Sequence, residues 1–372
     1  MTSASVTALE AHVDEAVVER TEATRRYFAA EAERVAVVCR ELAKRFVAGG
    51  RLLAVGGSPQ AWSDAHHVAV EFVHPVIVGK RALPAAAVDT GDLALLRSVD
   101  DAVISFDPVT VRMQTGEWTF GPQATDPFVR QELAETLYHV VWELVHVFFE
   151  HLHGSKAGAG ASAFLYPFLD DRGQDLDAVT TDVARSVLMK ADEAAALREQ
   201  TLGEARGTLP DAAVALCRAL DAGATLYAFG NGGSATDAMD VVADFRAAPQ
   251  GWEPRKAVDL AADSAILTAL ANDIGPQVLF ARQLIAFGRP GDVALAISTS
   301  GGSENIIEAL SEARRRGLAT IALVGYDGGR IADEGLADHV IVTRSDHIPR
   351  IQEAQASAYH VLRELVELAG RR

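Results

Sequence analysis

Two stretches set glycine and small hydroxyl residues where an apolar strand gives way to a helix. AFGNGGSATDAMD places Gly230, Asn231, Gly232, Gly233 and Ser234 in one turn. VALAISTSGGSENIIEAL places Ser298, Thr299, Ser300 and Ser303 in another, with Gly301 and Gly302 between them. Glycines let successive backbone N–H groups converge on an anion, and a helix start adds a favourable dipole. A Gly-rich turn of this kind can be purely structural, and Ser303 alone would cap the helix ENIIEAL. Four hydroxyls exceed what one cap needs. The two loops are therefore read together as a neutral phosphate cradle that uses no lysine.

Loops of this kind need a sheet to hold them. After residue 223 the chain alternates LYAFG, KAVDL, VALAIS, ATIALVG and HVIVT with amphipathic stretches. Short apolar strands spaced by helical patterns predict an α/β fold, a parallel sheet with helices on both faces. An earlier stretch repeats the plan: GGRLLAVGGSPQAWSDAHHVAVEF (49–72) matches GATLYAFGNGGSATDAMDVVADF (223–245), offset by 174 residues before the turn and 173 after it. VRQELAETLYHVVWELV (129–145) matches RIQEAQASAYHVLRELV (350–366), and Cys39 and Cys217 lie on similar helices upstream. The first copy has LLAVG, AAAVD and AVISF, then runs through VRMQTGEWTFGPQATDP to its last helix, so it is a shortened version of the same fold. The expected division is 1–153 for the short repeat with its leading helix, 154–175 for a Gly/Ala-rich linker, and 176–372 for the full repeat.

The 372 residues suit two domains, and 49% hydrophobic with 23% charged residues suits packed ones. A net charge of −17 repels phosphate backbones and anionic lipid surfaces, which argues against nucleic-acid and membrane roles. Two distant cysteines exclude a disulfide framework or a cysteine zinc cluster, and they predict a cytoplasmic protein. The acidic N-terminal stretch does not read as a signal peptide, and no run of apolar residues reads as a membrane span.

GNGGSATDAMD, the AND at 271–273, ISTSGGSENI, LVGYDGG and the RIQE at 350–353 resemble the sugar isomerase (SIS) domain. More narrowly, they resemble the bacterial phosphoheptose isomerase family, which interconverts sedoheptulose 7-phosphate and glycero-manno-heptose 7-phosphate. The resemblance covers 180–370 and reaches 35–150 only through the two flanking blocks. It implies a five-stranded αβα sandwich of flavodoxin-like kind. It also implies tetramers of single domains with sites where subunits meet, so a tandem chain would form a homodimer that is a pseudo-tetramer of SIS domains.

The family's site pairs a His and a Glu one helical turn apart with a Gln and a His eight residues apart, and these bind Zn2+ in some members. The resemblance places that set on His67, Glu71, Gln131 and His139 in the first copy, where it is complete. In the second copy it falls on Asp240, Asp244, Gln352 and His360, where two of the four are altered. The first copy, in turn, reads ISFDPVTV where the second has its hydroxyl loop. Three arrangements follow. One pools the first copy's quartet with the second copy's loops (Glu71 as base, His139 as acid partner or ligand). Another leaves the second copy self-sufficient (Asp244 as base, His360 as partner). In the third, the first copy is a scaffold. The resemblance implies an aldose–ketose isomerase working through an enediol on a heptose 7-phosphate; the rival is a SIS protein that binds a sugar phosphate or a protein without turnover.

Overall fold

The computed structural model describes residues 3–76, 80–122, 124–152 and 176–371; the expected linker, 154–175, lies outside them. The chain forms two compact units, residues 22–195 and residues 1–21 with 196–372. Two helices contribute to both: α1 (Ser3–Val47) and α5 (Leu176–Glu204).

In the C-terminal unit, α6 (Thr208–Asp221), β6 (Leu226–Phe229), α7 (Gly233–Arg246), β7 (Ala257–Asp259), α8 (Ser264–Asp273) and α9 (Ala281–Phe287) lead to β8 (Val293–Ser298). Then come α10 (Glu304–Arg315), β9 (Ala319–Val324), α11 (Gly329–Asp333), β10 (His339–Val342) and α12 (Ile348–Gly370). The five strands lie in the order β10-β9-β8-β6-β7, all parallel. Alternation along each strand feeds two cores. Leu226, Ala228, Leu295 and Ile297 pack with α6, α7 and α12, while Tyr227, Phe229, Ala294 and Ala296 pack with α9 and α10. This is the expected αβα sandwich.

The N-terminal unit holds β1 (Leu52–Val55), α2 (Pro59–Val73), β2 (Ala85–Ala87), the short α3 (Leu93–Leu96) and β3 (Ala102–Ser105). They are followed by β4 (Val109–Met113), β5 (Gly116–Phe120) and α4 (Pro127–Leu152). Its sheet, β2-β1-β3-β4-β5, keeps the three parallel strands that were expected. The stretch expected to run straight to the last helix instead forms a hairpin, antiparallel to β3. VTVRM and GEWTF alternate around the two-residue turn Gln114–Thr115, and Asp107 turns the chain back with a φ of 65°. This sheet is therefore mixed, and the hairpin fills the places that β9 and β10 occupy in the full repeat.

The two units share a carboxylate staple. Asp292 accepts from the backbone N–H groups of Thr225 and Arg289, each at 2.8 Å, and Asp101 accepts from those of Arg51 and Ser98 at the same distance. In each case a carboxylate fixes the amino end of two adjacent strands. Burial pushes the Asp101 carboxyl up, but the Arg51 guanidinium and the Ser98 and Arg51 amides outweigh it and hold it well below the usual carboxylate range. Its contribution to stability is therefore complete above about pH 4 and is lost as pH falls through the lowered folded value. Asp101→Ala is expected to cost about 2 kcal/mol at neutral pH, with a smaller deficit at strongly acidic pH, in denaturant titrations.

Candidate active site

The two glycine-rich loops leave the carboxyl ends of β6 and β8, which are neighbours in the sheet. That edge is where open α/β sheets bind ligands. At Gly230 an added Cβ would lie 2.2 Å from the Ser234 carbonyl oxygen, so only glycine lets the strand pass this close to the start of α7; Gly56 meets Ala61 in the same way. The loops are tied by a reciprocal amide pair. Asn231 Nδ2 donates to Asn305 Oδ1 at 2.9 Å, and Asn305 Nδ2 donates to Asn231 Oδ1 at 2.8 Å. Sequence reading missed Asn305, whose only signal is its place just inside the helix after the hydroxyl loop.

Within the second loop, Ser298 Oγ accepts from the Gly301 N–H and Ser300 Oγ from the Gly302 N–H, both at 3.2 Å. Those bonds curl the loop. Ser303 occupies the N-cap position of α10, yet its hydroxyl makes no capping bond. In the shortened repeat Ser58 does cap α2, accepting from the Ala61 N–H at 3.1 Å. The capping bond that Ser58 makes at α2 is thus not made by Ser303 at α10. Thr299 and Ser303 are half-buried, Ser300 and Gly232 exposed, and Gly233 and Ser234 buried. The Asp327–Gly329 turn buttresses the loop: the Ile331 N–H donates to the Gly301 carbonyl at 3.0 Å.

Beyond the first loop, α7 carries Asp240 and Asp244, and α12 carries Gln352 and His360, all buried. His360 Nε2 lies 3.4 Å from Asp240 Oδ2 and 3.4 Å from Asp244 Oδ2. Tyr359 donates its hydroxyl to Asp240 Oδ2 at 2.9 Å. Arg363, sandwiched between the Phe245 and Trp252 rings, donates Nε to the Asp244 carbonyl at 3.2 Å and so positions that turn of α7. Asp259, at the carboxyl end of β7 beside Ala228, is pushed up to about 6 by burial, against a bond from the Ala261 N–H. Neither Arg363 nor Asp259 stood out in the sequence.

The N-terminal unit has its own constellation. His67 and Glu71 come from α2, and Gln131, Glu135 and His139 from α4. His139 Nε2 faces His67 Nε2 at 3.2 Å, and Glu71 Oε1 lies 3.9 Å from His67 Nε2. Burial, and then the neighbouring His139, hold His67 well below its ordinary value; burial raises Glu71 to about 7, opposed by His139 and aided by Glu143. Glu135, which the sequence did not single out, joins His67 and His139, while Gln131 is half-buried. The segment after β3 offers no hydroxyl loop.

Among the described residues, two groups bring donor atoms within 4.8 Å of one another: His67, Glu135 and His139, and Asp240, Asp244 and His360. A tetrahedral zinc ion with nitrogen and oxygen donors at about 2.0 Å sets those donors about 3.3 Å apart. The separations of 3.2 Å and 3.4 Å in the two units fit that ion.

A family model described as the SIS domain matches residues 191–325, the stretch that holds both loops, so the C-terminal unit is a SIS domain. The phosphoheptose isomerase of Thermodesulfovibrio yellowstonii is 37% identical over 177 residues, which are 47% of this chain and 87% of that relative. That of Aquifex aeolicus is 42% identical over 158 residues, 42% of this chain and 82% of the relative. The chain belongs to the phosphoheptose isomerase family of SIS proteins, and its enzyme class is isomerase. The C-terminal domain of a glucosamine-fructose-6-phosphate aminotransferase from Francisella tularensis shares the fold at a TM-score of 0.57 and 10% identity, covering 97% of this chain and 96% of its own. No helix among the described residues is long and apolar enough to cross a membrane.

Proposed function

We propose that the chain interconverts sedoheptulose 7-phosphate and D-glycero-D-manno-heptose 7-phosphate, and that the C-terminal repeat carries the reaction. The observation that carries this reading is the plan of α7. The helix starts at the phosphate loop and presents buried Asp240 and Asp244 further along, facing His360. At a rise of about 1.5 Å per residue, Asp240 lies about 9 Å along the helix from Ser234, a separation suited to a sugar chain held by its far phosphate.

In this reading the amides and hydroxyls of Asn231, Gly232, Gly233, Ser234, Ser298, Thr299, Ser300 and Ser303 hold the phosphate. Binding energy spent there fixes the reacting end of the sugar. Asp244 takes the proton between C1 and C2 and returns it to the neighbouring carbon. His360 hands protons between the two oxygens as the enediol forms and collapses. Zn2+ held by Asp240, Gln352 and His360 would instead polarise those oxygens itself, taking over the role of the His360 proton shuttle. The family resemblance supports a homodimer, to be checked by sedimentation, and the two free buried thiols support a cytoplasmic setting.

The test is NMR of sedoheptulose 7-phosphate with the purified chain in D2O. The aldose is expected to appear with solvent deuterium at the carbon that receives the proton. Thermal stabilisation by the sugar phosphate with no aldose formed would favour a binding protein and overturn the proposal. Ser303→Ala removes one charge-assisted hydrogen bond and is expected to raise KM roughly tenfold, with kcat nearly unchanged, in steady-state assays.

A further inference from the structure

The N-terminal repeat gathers a donor set other than the one its family resemblance implies, and we infer that it is a metal centre of its own, with His67, Glu71, Glu135 and His139 binding one divalent ion of the zinc class. Glu135 carries the inference. Where α12 has Ala356, at the offset that aligns Gln131 with Gln352 and His139 with His360, α4 has a buried carboxylate one turn before His139. Its oxygen falls within 4.8 Å of both histidine nitrogens, which face each other at 3.2 Å; Glu71 lies outside that group of three, 3.9 Å from His67, and would close on the ion as its fourth donor. Two imidazoles and two carboxylates suit zinc better than magnesium or calcium, and a divalent ion balances the two carboxylate charges. The nearby cations are already engaged, since Lys190 pairs with the Glu143 carboxylate and Lys80 donates to the Glu143 carbonyl at 2.7 Å.

Four protein donors fill a tetrahedral ion, as in sites that stabilise a fold, whereas catalytic sites keep a position open. The ligands come from α2 and α4, so the ion would clamp these two helices. It would do so in the repeat that has no phosphate loop. The inference goes beyond the proposed isomerase, and it is tested by metal binding and melting rather than turnover.

Zinc alone is titrated into the metal-stripped full chain carrying His360→Ala, which disables the second group. One ion is expected to bind, with a rise in Tm of several degrees, and X-ray absorption should show two imidazoles and two oxygens around it. Adding Glu135→Gln should weaken binding at least tenfold, while adding Gln131→Ala should leave it within about threefold. Failure to bind zinc, a shell with fewer than two imidazoles, or undiminished affinity in Glu135→Gln would each overturn the inference. If Glu135→Gln does not fold, the imidazole count and the Gln131→Ala affinity still decide it: one imidazole, or a tenfold loss in Gln131→Ala, contradicts the assignment.

Discussion

Asp244→Asn is expected to lower kcat for heptose phosphate isomerisation by about 10³-fold, within the range general-base removal produces. Asn keeps the volume of Asp and the contact with His360, but it cannot accept and return a carbon-bound proton. With the substrate held by its phosphate at the other end, as proposed, KM should stay within a few-fold of wild type, and kcat should carry nearly the whole loss. The Arg363 bond to the Asp244 carbonyl involves the backbone, so the substitution leaves the turn of α7 in place. Steady-state kinetics at saturating substrate measure the effect. A comparable fall in thermal stability would point to a packing role instead.

Gly301→Ala should damage binding rather than chemistry. Gly301 has a φ of +60°, and an added Cβ would lie 2.1 Å from the Gly328 carbonyl oxygen. Left-handed backbone costs an alanine about 1–2 kcal/mol, and forced overpacking against a backbone atom adds about 1–3 kcal/mol. The loop can escape only by moving away from the Asp327–Gly329 turn, which carries the Ser298–Ser303 hydroxyls out of register. KM is expected to rise more than tenfold, and Tm to fall by several degrees in a melting scan.

Much of this architecture was readable in the residues. The apolar runs fell on β1–β3 and β6–β10, and both glycine-rich loops lie where strand-to-helix turns were expected. The hairpin of β4 and β5 was not foreseen. VTVRM and GEWTF alternate as strands should, but their aligned counterparts in the full repeat are missing, and comparing copies drew attention to a deletion. The domain division had a similar limit: the helical periodicity of α1 and α5 is continuous, and nothing along it marks the change from one compact unit to the other. Glu135 and Arg363 escaped because a polar residue on a helix ordinarily reads as solvated, and their burial depends on residues dozens of positions away; Asn305, half-buried, escaped because its partner Asn231 lies 74 positions earlier. The Asp101 and Asp292 staples join residues 50 and 67 apart in sequence, which no local pattern reveals.

The division of labour between the repeats can be tested most directly by measuring kcat for sedoheptulose 7-phosphate in wild type, Asp244→Asn and Glu71→Gln side by side, below their melting temperatures. Loss of about 10³-fold in Asp244→Asn with Glu71→Gln within a few-fold of wild type is the expected result. An active Asp244→Asn beside an inactive, folded Glu71→Gln would contradict it and move the base to the first repeat.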